Sequence, residues 1–88
     1  MSLLDNITNY YEVLVVDALA DLPVPDHYDE EVLSDIVCIA LNHLPPRYIR
    51  HEVDMMYYTS PAEREELALK ARKAVEDALR YMKENKRG

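Results

Sequence analysis

Five side chains in the middle of this 88-residue sequence have the types and spacing to recognise a ligand: Asp35, Asn42, Arg47, Tyr48 and Arg50. Asp35 and Asn42 lie seven residues apart, two helical turns, and so share one face of a helix. Arginine forks match phosphate oxygens, and a tyrosine ring stacks on a base or a guanidinium. Each residue also has a purely structural reading, because polar groups on an apolar element must reach water or find partners. Asn42 then satisfies free carbonyls or the proline turn, and Asp35 pairs with a Lys or Arg of the last helix. The two arginines and the tyrosine form a solvated face or an interchain ion pair. Chemistry beyond recognition has no support. There is no Gly-rich phosphate loop, Cys/His cluster or nucleophile elbow. His27, His43 and His51 are spread without an i, i+4 pair, so no metal site is expected. With no activated nucleophile and no paired acid and base, the protein is not expected to be an enzyme or to need a cofactor.

The element that must position these residues is the stretch from Asp35 to Tyr48, around which the chain is expected to be organised. Its first half is apolar nearly all round a helix, which predicts contact on several sides. Pro45 and Pro46 end it and send the chain out extended, from Arg47 to Val53. In strand geometry Tyr48, Arg50 and Glu52 share one face, and Ile49, His51 and Val53 share the other. A lone strand needs a partner, and a second subunit could supply it.

Around that centre two further helices are expected. Asp5 or Asn6 caps the first, which runs to about Leu22 with Tyr11, Leu14, Val15, Ala18, Leu19 and Leu22 as its buried stripe. Glu12, Asp17 and Asp21 lie off the stripe, and Pro23 and Pro25 end the element. Asp29 caps the middle helix, Glu30 to His43, with Glu30 and Glu31 on the favourable end of its dipole. Met55, Met56, Tyr57 and Tyr58 make a sticky loop suited to packing on the bundle, on a second subunit or on a partner. Ser60-Pro61-Ala62-Glu63 is a capping box with proline at the first helical position. It opens the longest helix, Pro61 to about Asn85, whose apolar face is Leu67, Ala71, Ala74, Val75, Ala78, Leu79 and Met82. The fold class is mainly α: a small three-helix domain spanning 1–88, with a short extended segment after the Pro-Pro.

Composition bounds the rest. At 88 residues an isolated core is marginal, yet 49% of residues are apolar and only one is glycine. That combination favours a homodimer in which the partner completes the core, over a compact monomeric bundle. Net charge is −7, which argues against nucleic-acid polymers as partners. Residues 1–44 carry nine carboxylates and no Lys or Arg, whereas residues 45–88 hold all ten basic residues against eight acidic ones. An anionic ligand would therefore be met by the second half. Cys38 is the single cysteine, read as a small buried hydrophobe on its helix. No leader pattern and no membrane-length apolar run is visible, so a cytoplasmic location without membrane association is expected.

Asp35-Ile36 followed by Ala40-Leu41-Asn42-His43-Leu44-Pro45-Pro46-Arg47-Tyr48 resembles the signature of the late competence development protein ComFB family. The likeness spans most of the chain, including an opening helix with Asn9, Glu12, Val13 and Leu14 and a closing helix. The resemblance implies a small bacterial, mainly helical cytoplasmic protein that dimerises. It also implies a signalling receptor for cyclic di-GMP or cyclic di-AMP, linked to competence or surface behaviour. A regulatory protein-interaction subunit is the alternative. Many members carry clustered cysteines just before the Asp-Ile pair, credited with a zinc site. His27 to Ser34 contains none here, and the zinc site is not carried over.

Overall fold

The computed structural model describes residues 2–50 and 59–85. The Met55–Tyr58 loop and positions 51–53 of the extended segment lie outside the described residues. A 3-10 turn over Leu3–Asn6 leads into strand β1, Ile7–Asn9. Helix α1 (Tyr10–Asp21), helix α2 (Glu30–Asn42), strand β2 (Tyr48–Arg50) and helix α3 (Pro61–Asn85) follow. Three helices and one two-stranded ribbon thus make up the described fold.

The caps follow local chemistry. Asp29 Oδ1 accepts the Val32 N–H at 3.0 Å at the start of α2. Ser60 Oγ accepts the Glu63 N–H at 3.1 Å at the start of α3, as the capping box predicts. The start of α1 differs from expectation. Asn9, not Asp5 or Asn6, is its cap, and Asn9 Oδ1 accepts the Tyr11 N–H at 3.2 Å. The β-branched pair Ile7-Thr8 favours an extended chain there, and Asn9 with Glu12 three residues on has the spacing of a capping box.

The core is one cluster drawn from all three helices: Tyr11 and Val15 of α1, Val32, Ile36 and Ala40 of α2, and six residues of α3. Both α1 and α2 pack chiefly on α3 and touch each other less. The organising element is therefore α3, not α2. Ala71, Ala74 and Ala78 are buried along it and let the other two backbones approach closely. The expected stripes of α1 and α3 hold: Leu14, Ala18, Leu19 and Leu22 are half-buried beside Tyr11 and Val15, and Leu79 is half-buried beside its buried neighbours.

Helix α2 is fully buried along one stripe, with Leu33, Val37, Ile39 and Leu41 half-buried against the core on its flanks and one side left outward. Val32, Ile36 and Ala40 repeat every four residues and face inward, which puts Cys38, two residues from both Ile36 and Ala40, on the opposite side. The thiol is exposed, so the expectation of a buried Cys38 is corrected. A second correction concerns the strand. β2 pairs antiparallel with β1 of the same chain, in the register Ile7 to Arg50, Thr8 to Ile49 and Asn9 to Tyr48. The partner expected from a second subunit is supplied within the chain.

Ile36 is fully buried at the centre of the α2 stripe. Truncation to alanine is expected to destabilise the fold by about 2–5 kcal/mol, read as a lower denaturant midpoint with an unchanged slope.

Candidate functional site

The double proline leaves the end of α2 with carbonyls to satisfy and no amide between Leu44 and Arg47. The last turn tightens: the His43 N–H donates to the Ala40 carbonyl at 3.1 Å and the Leu44 N–H to that of Leu41 at 3.2 Å. The His43 ring donates from Nδ1 to the Ile39 carbonyl at 2.8 Å. The side chain that satisfies a free carbonyl is therefore His43, not Asn42. Arg47 is then fixed three ways. Its N–H donates to Asn9 Oδ1 at 2.9 Å, its carbonyl accepts the Tyr10 N–H at 2.7 Å, and its Nη2 donates to Glu63 Oε1 at 2.7 Å. The ribbon is thereby anchored to the starts of both α1 and α3.

Beyond this anchor β2 alternates. Ile49 is half-buried against the core, while Tyr48 and Arg50 are exposed, Tyr48 by 61%. Among the described residues, no carboxylate is paired with Arg50. Tyr48 borders a shallow groove of about 510 Å³ with Leu4, Asp5, Ile7, Thr8 and Glu12. Asn42 is exposed and lies elsewhere, in a larger groove of about 730 Å³ between α2 and α3. Ile39, Ala74 and Ala78 line that groove, together with the polar groups of Asn42, His43, Asp77 and Tyr81. Asp35 is half-buried on α2 and borders neither groove. Of the five expected residues, the structure puts Tyr48 and Arg50 on one exposed face of β2, turns the Arg47 side chain to Glu63 at the start of α3, and leaves Asp35 and Asn42 on α2.

The electrostatics differ between the two places. The Tyr48 groove carries two carboxylates, Asp5 and Glu12. In the α2–α3 groove, the Lys73 ammonium hydrogen-bonds Asp77 at 3.1 Å and Arg80 reaches it at 3.0 Å. The Lys73 hydrogen bond, with the two neighbouring positive charges, holds the Asp77 carboxyl below the ordinary aspartate value. No cluster of three or more His, Cys, Asp or Glu among the described residues could hold a metal ion. No helix among them is long and apolar enough to cross a membrane.

The sequence matches the family Late competence development protein ComFB over residues 8–86. The chain belongs to the ComFB family. The match runs from Thr8 in β1 through the double proline to the end of α3, so Asn9, Glu63 and the whole of β2 lie inside the ComFB region. Membership connects the protein with late competence development. No curated protein matches the chain significantly, and no solved structure does. Within this ComFB chain, the residue that sequence reasoning missed is Asn9, which both caps α1 and receives the Arg47 amide.

Two measurements check this geometry. Asn9→Ala removes a cap and strands the Arg47 amide, so stability is expected to fall by about 1–3 kcal/mol in chemical denaturation. A depressed carboxyl contributes stability that is present above its ordinary titration range and lost as pH falls through its folded value. Replacing Lys73 by Gln should therefore raise the Asp77 titration towards the ordinary aspartate value in a carbon-detected NMR titration.

Proposed function

We propose that the protein is a non-catalytic regulatory receptor for a cyclic dinucleotide, acting as a homodimer. The observation that carries this reading is the presentation of Tyr48 and Arg50. Two residues apart on a strand, they stand on one face about 7 Å from each other, a span that lets a ring meet a base while a guanidinium meets its phosphate. Both are exposed, and the Arg47 anchor holds the strand in place.

Arg47 joins them by exchanging Glu63 for a phosphate. That ion pair is more than 40% exposed on both sides, 43% and 41%, so giving it up costs about 1 kcal/mol or less. A two-fold symmetric ligand suits a two-fold symmetric dimer, in which one pocket uses each residue twice. Asn42 and Asp35 then contribute to base edges from α2 of the facing subunit. The outward side of α2 around the exposed Cys38 is the surface left for that subunit.

A second reading, a regulatory subunit that binds protein instead of nucleotide, is favoured by large apolar side chains exposed near the first helix. These are Leu3, Leu4, Val13 and Val16. Calorimetric titration with cyclic di-GMP and cyclic di-AMP separates the two. The receptor reading expects saturable binding with about one ligand per two chains, weakened about tenfold or more by Tyr48→Ala and by Arg50→Ala. Absence of binding by either nucleotide, or wild-type affinity in both variants, would leave the protein-binding reading.

A further inference from the structure

Helix α1 is apolar on two sides. Tyr11 and Val15 are buried in the core, yet Val13 and Val16 stand 48% and 53% exposed on the opposite side, with Ala20 exposed beyond them. Spaced three and four residues apart, these three make a second apolar seam along the helix. A surface helix with one buried stripe ordinarily turns polar groups outward, so a second seam marks a contact surface. Its borders are acidic: Glu12, Asp17 and Asp21 are all exposed. No Lys or Arg occurs in residues 1–44 to offset them. Glu12 also borders the 510 Å³ groove, where Asp5 adds a second carboxylate beside Leu4 and Ile7.

We propose that this outward face of α1 docks a cationic amphipathic helix of another protein. Its apolar side chains would lie along Val13, Val16 and Ala20, and its Lys and Arg ends would reach Glu12, Asp17 and Asp21. Charge selects this occupant over the others. A second copy docked face to face would set two carboxylate rows against each other. A second copy docked through the middle of α3 would bring four cations that already have partners there. Lys70 pairs with Glu66, Arg72 with Glu76, and Lys73 and Arg80 with Asp77. A nucleotide, a nucleic acid or an anionic lipid surface is repelled by the row of carboxylates. The inference thus goes beyond the nucleotide reading and uses a surface of opposite charge preference.

The probe is a synthetic Lys/Leu peptide with Leu at helical three- and four-residue spacing, labelled for fluorescence anisotropy and titrated with the full chain. A peptide of the same composition with that spacing scrambled is the control. The amphipathic peptide should bind saturably, more weakly as salt rises, and the scrambled one at least about tenfold more weakly. The double substitution V13E/V16E should weaken the amphipathic peptide by a similar factor. This variant makes the face more negative, so attraction by bulk charge alone would tighten binding instead. Both positions are exposed, and an unchanged circular dichroism spectrum confirms that the fold survives. Unchanged or tighter binding in the variant, or equal binding of the scrambled peptide, overturns the proposal. Conversion of a wild-type dimer to a monomer by the same variant in sedimentation also overturns it, by assigning the seam to a second copy.

Discussion

The oxygen Asn9 Oδ1 accepts two main-chain N–H groups, from Tyr11 and from Arg47, and the arrangement of the chain on either side of it follows. Pro45 and Pro46 have no amide hydrogen, so Arg47 is the first residue after Leu44 with an N–H to place. Asn9 receives it while capping α1, and the Tyr10 amide returns the contact to the Arg47 carbonyl. The exit from α2 is thus bonded to the entrance of α1, and the register of β1 on β2 is set. Ile49 turns towards the core as a result, and Tyr48 and Arg50 turn away. Glu63, in the first turn of α3, holds the Arg47 side chain and adds the third helix to the same junction.

What was legible in the sequence was local. Asp29 before two glutamates and Ser60-Pro61-Ala62-Glu63 each carry their reason within four residues, and both helices begin where those residues say. The apolar repeats of α1 and α3 also name their buried faces. The start of α1 was harder, because Asp5, Asn6 and Asn9 are all competent caps. The choice among them was made by β2, some forty residues away. Cys38 shows a different limit. On a helix apolar nearly all round, sequence does not say which side is inward; the packing of Val32, Ile36 and Ala40 against α3 does.

The candidate site was legible to the extent that its residues are contiguous. Tyr48 and Arg50 share a face because a strand places them there, while the Arg47 side chain reaches Glu63 instead. Asp35 and Asn42 share a helix face as their spacing required, but neither borders the groove beside Tyr48. Charge was visible in outline only. The acidic first half does not sit apart from β2, since Glu12 and Asp5 border the same groove as Tyr48. Glu63 was read as part of a cap and not as the partner of Arg47.

The contact between Asn9 and Arg47 joins residues 38 apart in sequence. Closing a loop of that length carries an entropic cost that the short ribbon alone, three residues in each strand, does not offset. The loop is instead drawn shut by the packing of α1 and α2 on α3, which follows both in the chain. Segment 2–9 therefore has a place to bind only once α3 has gathered α1 and α2. The rate-limiting step of folding should belong to this non-local pairing and not to any helix.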